Sequence, residues 1–276
     1  MEKRVKLSFF ADEASPWLDG QLRLAASLGL DWMELRIVDG RNISTFTEEQ
    51  TRALARRMQD EGIGVSAIAS PVGKVSLSEP FGNQLTLLEH ICVQAALLGT
   101  RNIRIFSFFD TTEADAPEVL DRIGRMVELA RRYPVCLLHE NDSALFGHSA
   151  ARCALLAEHF YPDHFALVYD PGNFVWGEGI SDNVASCWPL LAGYVRHIHI
   201  KDWVLGHSDK GVLPGDGDAQ IEALIEALSQ SAYEGFVTLE PHTAGGGPFG
   251  GTTTPEQFQR ALSRVRHYMD RYKVKY

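Results

Sequence analysis

Four polar residues close four consecutive apolar runs in the second half of the chain. They are Glu140 in Val-Cys-Leu-Leu-His-Glu, Asp170 in Phe-Ala-Leu-Val-Tyr-Asp, His199 in Arg-His-Ile-His-Ile-Lys and Glu240 in Phe-Val-Thr-Leu-Glu. Taken singly, a strand-end carboxylate reads as a cap or ion-pair partner, and a strand histidine as a core residue. Taken together, three carboxylates brought into one place repel unless a cation lies between them. Three oxygen donors and one imidazole, without thiolates, suit a single divalent ion rather than a structural zinc site. Mn2+, Mg2+, Co2+ and Zn2+ all suit such a donor set. Open coordination positions on such an ion can take two adjacent oxygens of a substrate.

Residues this far apart in sequence meet only if the fold turns all their strands the same way. Eight short apolar runs alternate with longer amphipathic segments: 5–10, 32–37, 64–69, 102–106, 135–140, 165–170, 195–201 and 236–240. Strands separated by helices imply parallel pairing through right-handed crossovers. Eight such units in this length predict one α/β domain over residues 1–276, a (β/α)8 TIM barrel, whose site lies at the strand C-termini. The open doubly wound alternative usually has a Gly-rich turn after its first strand. Here that turn, Phe10-Ala-Asp-Glu-Ala-Ser15, has no glycine. Strand alternation puts His197, His199 and Lys201 on the inward face and Ile198 and Ile200 against the helices.

Helix boundaries are marked as well. Ser15-Pro16 reads as an N-cap and first helical residue, with Gly29 as the stop. Thr47-Glu-Glu-Gln50 reads as a capping box, and Thr254-Pro255-Glu-Gln257 opens the last helix. The Gly-rich stretch Gly245–Gly251 reads as a loop over the barrel mouth. It is either a flexible lid or a source of backbone N–H groups for a phosphate.

Composition narrows the partners. A formal charge of -10 disfavours a nucleic-acid backbone. No run approaches the length of a transmembrane helix, and the first fifteen residues lack a leader's apolar stretch. Four cysteines without CxxC spacing fit a reducing, cytoplasmic compartment.

The motifs His139-Glu140-Asn141, Tyr169-Asp170-Pro-Gly-Asn173, His197-Ile-His199-Ile-Lys-Asp202, Pro214-Gly-Asp-Gly217 and Leu239-Glu240-Pro-His242 follow in that order. Over essentially its whole length the chain resembles the xylose isomerase-like barrel superfamily. Within it, the sugar isomerase/epimerase branch with the ketose 3-epimerases is the nearest in pattern. The resemblance implies one metal on Glu140, Asp170, His199 and Glu240, with Glu140 and Glu240 also moving the proton. It implies a small sugar-like substrate and a dimer or tetramer. The same ligands serve dehydratases of inosose- or dehydroshikimate-like polyols, which is the alternative activity. The chain departs from the epimerase pattern at three substrate contacts, having Asn173 for a histidine, Leu205 for an arginine and Phe146 for a glutamate. A DNA-repair nuclease of this superfamily needs further histidines that strands three and four lack.

Other inward residues carry two readings each. Asn173 either bonds a sugar hydroxyl or is the turn residue after Pro-Gly. Lys201 either binds an anion or pairs with Asp202 or a neighbour. His242 either touches substrate or orients Glu240. Glu34 and Arg36 are expected to pair with each other, and Arg104 and Phe106 approach the mouth. Trp17 and Trp176 are expected in the core, with sugar stacking as the alternative.

Overall fold

The computed structural model describes residues 4–207, 209–247 and 250–276. Eight parallel strands form a nearly closed barrel: β1 (Lys6–Phe9), β2 (Trp32–Leu35), β3 (Gly64–Ala69), β4 (Asn102–Ile105), β5 (Cys136–Glu140), β6 (Phe165–Tyr169), β7 (Val195–Ile200) and β8 (Phe236–Leu239). The ladder runs β2-β3-β4-β5-β6-β7-β8-β1. β1 and β2 lie side by side without ladder pairing among the described residues. Every strand agrees with its sequence-based span to within one or two residues. Beyond β2, Ile37–Val38 leaves the barrel and pairs antiparallel with Arg41–Asn42.

The helices are α1 (Leu18–Leu28), α2 (Glu48–Asp60), α3 (Phe81–Leu98), α4 (Ala116–Ala130), α5 (Ala150–Phe160), α6 (Pro171–Glu178), α7 (Ile221–Ser229) and α8 (Pro255–Tyr272). Two short helical turns, Asn183–Ser186 and Trp188–Leu191, follow α6. The capping box Thr47/Gln50 is formed in both directions, and Thr254 Oγ accepts from the Gln257 N–H. Gly29 takes the left-handed conformation (φ 60°) that ends α1 without a Cβ clash.

The expected start of α1 is wrong by two residues. Trp17, not Ser15, is the cap position, and its side chain caps nothing. The Leu18 N–H donates instead to Asp39 Oδ1 at 3.0 Å, from the turn after β2. A tertiary acceptor has taken over the local one.

Alternation along the strands divides the core into two layers. Met33, Leu35, Leu137, Leu167, Ile198, Ile200, Val237 and Leu239 point outward and pack against the helices. Burial of each such side chain contributes roughly 1.5–3 kcal/mol. Leu138, Ala166 and Val168 form a separate apolar patch inside the barrel. The rest of the interior includes polar pairs: Ser8 Oγ meets Ser66 Oγ at 2.7 Å, and His197 Nε2 meets Thr238 Oγ1 at 2.8 Å. At the N-terminal end, Trp32 and Phe236 meet edge-on, with the Lys6 ammonium over the Trp32 ring. That end is plugged, so the strand C-termini are left to carry a site.

The Gly-rich stretch after β8 is ordered as a hairpin of Gly245–Gly247 against Gly250–Thr252. Pro248 and Phe249 lie outside the described residues, as does that part of the lid and phosphate-loop expectation. The hairpin base is pinned. Glu13 Oε2 accepts from the His242 N–H and from Thr253 Oγ1.

Candidate metal centre

Glu140 is the last residue of β5, and Asp170 and Glu240 immediately follow β6 and β8; His199 lies near the end of β7. The register explains why they meet. Thr238 faces His199 across the β7–β8 ladder, which puts Glu240 one step above the imidazole. Each of the four residues offers one donor atom, and those atoms all lie within 4.8 Å of one another. All four side chains are buried.

His199 shows its two nitrogens to different partners. Nδ1 lies 2.9 Å from Glu140 Oε1 and 3.4 Å from Glu240 Oε2. Nε2 lies 3.2 Å from Glu34 Oε2. The ring is therefore aimed, with Nδ1 toward the carboxylates and Nε2 anchored below by β2. Phe10 packs edge-on against it at 5.2 Å.

Asp170 is fixed from both sides of its backbone. The Asn141 amide donates to the Asp170 carbonyl and accepts the Asp170 N–H, both at 2.9 Å. Asp170 Oδ1 then accepts the Asn173 N–H at the start of α6 (3.0 Å). Oδ2 is buried and receives no aligned hydrogen bond, although the Lys201 ammonium is 2.8 Å away.

The electrostatics ask for positive charge here. Burial opposes ionisation of Glu140, but Arg104 and His199 outweigh it and hold the carboxyl at about 2. Glu240 is likewise held well below the usual range, by Lys201 and His242 against burial. Burial dominates at Asp170 and, only partly offset by Lys201, raises it to about 6. Burial disfavours the His199 imidazolium, yet Glu34 and Glu140 raise its pKa well above the ordinary value. A buried carboxylate oxygen without an aligned hydrogen bond, inside a cluster of three carboxylates and an imidazole, marks a place where a cation belongs. The donor set fits one divalent ion.

A cavity of about 370 Å3 opens over this cluster, lined by Glu140, Glu240, Asn173, Lys201, His242, Arg36, Arg104 and Trp176 among others. The site residues expected from the sequence thus converge: the four donors below, and Asn173, Lys201 and His242 around them. Asn173 lies in the first turn of α6 with its N–H on Asp170 Oδ1, and its Nδ2 is buried, unbonded and beside the cavity.

Several expectations fail. Glu34 and Arg36 do not pair. Glu34 binds His197 (2.7 Å) and His199, whereas Arg36 reaches Asp12 (2.8 Å) and Glu240 Oε1 (3.0 Å). Residues two apart on an inward face sit at different depths, and each finds partners in its own layer. Of the ion-pair partners open to Lys201, the structure selects neighbours over Asp202, because its ammonium bridges Asp170 and Glu240. Asp202 accepts backbone N–H groups from Gly215, Gly217 and Ala219, so the Pro-Gly-Asp-Gly motif wraps its carboxylate. A Cβ at Gly217 would stand 2.4 Å from Asp202 Oδ1. The core assignment of both tryptophans is also wrong. Trp17 is 61% exposed, and Trp176 is 46% exposed and borders the cavity. Phe146 is buried in the core, away from the cavity lining.

Sequence reasoning missed Glu13. It is buried beside Arg36 and His242, with its carboxyl raised to about 6 by burial. It also missed the roles of Glu34, Arg36 and Arg104. The only signal was a charged residue inside an apolar strand, which does not name its partner.

Known proteins agree with this architecture. No curated protein matches the chain. Among solved structures, a xylose isomerase-like TIM barrel protein from Mycobacterium smegmatis in complex with magnesium is 13% identical, with a TM-score of 0.75 over 98% of this chain and 97% of its own. The probable 3-DHS dehydratase of Bacillus anthracis is 16% identical, with a TM-score of 0.73 over 95% and 99%. The D-psicose 3-epimerase of Clostridium cellulolyticum H10 is 15% identical, with a TM-score of 0.69 over 98% and 98%. At these identities the likeness is one of fold. The family described as xylose isomerase-like TIM barrel matches residues 22–268, and the chain belongs to that family.

Proposed function

We propose that the protein, with residues 1–276 acting as one catalytic domain, is a divalent-metal-dependent isomerase or epimerase of a small carbohydrate or keto-sugar. The observation that carries this reading is the convergence of donor atoms from Glu140, Asp170, His199 and Glu240 beneath a cavity of sugar size. These four residues would hold the ion, with Mn2+ first and Mg2+, Co2+ or Zn2+ as alternatives. When bound, the ion polarises a carbonyl and makes the neighbouring C–H more acidic.

The chain's own residues supply the remaining steps. Glu140 and Glu240 are both held in the ionised form that a proton acceptor needs. They come from β5 and β8, so two carboxylates are available to take a proton and return it. Return to the other face of the same carbon gives epimerisation, and return to the adjacent carbon gives isomerisation. Asn173 Nδ2, buried without a hydrogen-bond partner, is available to a substrate hydroxyl, and His242, whose Nε2 lies 3.3 Å from Glu240 Oε1, lines the same cavity. Trp176, ringed by Trp203 at 6.1 Å, offers an aromatic wall.

A second reading is a dehydratase of an inosose- or dehydroshikimate-like polyol. Lys201 favours it, because its ammonium stands at the centre and can protonate a departing hydroxyl. A structural neighbour is named as a probable 3-DHS dehydratase.

Proton NMR of the Mn2+-loaded protein in D2O, with a panel of ketoses, keto-sugars and inososes, separates these readings. Deuterium entering next to a carbonyl, with interconversion of two sugars, is the expected result. Loss of water with a new vinyl or deoxy signal moves the protein to the dehydratases. No exchange on any candidate, in protein shown to hold its metal, overturns both.

A further inference from the structure

Glu240 turns its two carboxylate oxygens to different neighbours. Oε2 faces the first centre and lies 3.4 Å from His199 Nδ1 and 3.4 Å from Lys201 Nζ. Oε1 faces away from that centre, 3.3 Å from His242 Nε2 and 3.0 Å from Arg36 Nη1. Glu13, from the turn after β1, stands on this far side, with its Oε1 3.4 Å from the same His242 nitrogen. Glu13, Glu240 and His242 thus offer a second set of donors, one atom from each, all within 4.8 Å of one another.

The surrounding structure holds these atoms in place. Glu13 is only 5% exposed. Its Oε2 accepts from the His242 N–H and Thr253 Oγ1, whereas its Oε1 is buried with no aligned hydrogen bond. His242 Nε2 is likewise buried without one. Gly251 packs so closely on the His242 ring that a Cβ there would stand 2.0 Å from it, so the hairpin fixes the imidazole. Adjacent ligands of an octahedral ion with bonds of about 2.1 Å stand about 3 Å apart. The separations of 3.3 and 3.4 Å around His242 Nε2 are close to that. Charge points the same way. Asp12, Glu13 and Glu240 bring three carboxylates against the Arg36 guanidinium. Lys201 and His199 lie on the other side of Glu240, where Asp170, Glu140 and Glu34 face them. A carboxylate oxygen has two lone pairs, so Oε1 can accept from Arg36 and still hold an ion.

We propose that Glu13, Glu240 and His242 form a second divalent-cation site, joined to the first by Glu240 as a bridging carboxylate. Two carboxylate oxygens and a neutral imidazole suit an ion such as Mn2+. An ion there takes the Glu240 oxygen that the first centre leaves open. Filling the site withdraws Glu240 from proton transfer, so the second ion acts as a brake at high metal concentration. The site stands on its own donors, and the brake rests on the function proposed above.

The test is a Mn2+ titration of the whole protein followed by electron paramagnetic resonance, which counts the free ion. Two Mn2+ per chain are expected, the second the weaker because it has three protein donors and not four. The doubly loaded protein should give the spectrum of a magnetically coupled pair. Glu13→Gln keeps an acceptor for the His242 N–H and Thr253 but removes the charged donor, and His242→Ala removes the ring. Each should lose the second Mn2+ and the coupling while keeping the first. Asp170→Asn should weaken the first ion and spare the second. One Mn2+ per chain at saturation, a second ion untouched by both variants, or a second ion uncoupled from the first overturns the proposal. A first ion untouched by Asp170→Asn counts instead against the reading of the main centre. In the D2O exchange assay the rate should fall as the second Mn2+ binds, and Glu13→Gln should abolish that fall. A rate that holds as the second ion binds removes the brake. The ion count decides the site even where no candidate substrate exchanges.

Discussion

The two halves of the barrel contribute different things to one site. Strands β5 to β8 provide Glu140, Asp170, His199 and Glu240, the residues that could touch an ion. Strands β1 to β4 and their loops provide Asp12, Glu34, Arg36 and Arg104, which face those donors or the residues that hold them. The donors sit at strand ends within recognisable motifs. Of their partners, Glu34, Arg36 and Arg104 are charges in or just after apolar strands, and Asp12 lies in the turn after β1. A metal site depends on both, since partners orient the ligands and set their basicity. Closing the barrel is what brings the two sets together.

Four substitutions and one condition put that division of labour at risk, from the largest expected effect to the smallest. In the donor half, Glu140→Gln and Glu240→Gln should each lower kcat by about 10²–10⁴-fold, the usual contribution of a positioned acid or base. Circular dichroism should report an intact fold. Loss of turnover with Mn2+ still bound assigns proton transfer, whereas full activity in either variant ends its catalytic role.

In the partner half, Arg36→Met leaves Asp12 without its cation and Glu240 with Lys201 and His242 alone. Breaking such a pair from one side costs about 3–5 kcal/mol. The melting temperature of the metal-free protein should fall accordingly, and Mn2+ should restore part of it by neutralising Glu240. A loss that Mn2+ leaves unchanged would place Arg36 outside the electrostatics of the centre.

Glu34→Gln tests the anchor beneath His199. Metal affinity should drop by about 10–100-fold, the effect typical of a ligand's hydrogen-bond partner. Saturating Mn2+ should return most of kcat. An unchanged affinity would make Glu34 a partner of His197 alone.

The pH dependence of Mn2+ binding tests the whole cluster. Metal needs neutral His199 and ionised Asp170, so it competes with protons at both. Since the His199 pKa is raised well above its ordinary value, affinity should rise about tenfold per pH unit through the neutral range. Asp170, raised to about 6, adds a second proton below that pH and steepens the fall. Calorimetry between pH 5 and 8 reads both slopes, and a flat profile would separate these groups from metal binding.

The strands and donors were legible because their signals are local. Alternation over five or six residues identifies an inward face, and a polar residue at the C-terminal end of a parallel strand points to the mouth. The Glu34–Arg36 pair was misjudged because spacing along one strand gives the face and not the depth. Depth is set by the stagger between strands, which lifts Arg36 to the layer of Asp12 and Glu240 and leaves Glu34 with His197 and His199. Trp17 and Trp176 were misjudged for a related reason. An apolar residue near a helix end says nothing about whether another element covers it. Ser15 lost its capping role to Asp39, which is remote in sequence and adjacent in space.

By itself the sequence determined the barrel, the order of its elements and four candidate donors at the ends of its last four strands. Each follows from periodicity and residue type over a few positions. Only the tertiary structure decided which nitrogen of His199 faces the carboxylates, which cation neutralises which donor, and that Arg104 has a buried donor to spare. Those are questions of distance and direction between strands on opposite sides of a barrel, and they are fixed when the sheet closes and its strands take up their stagger.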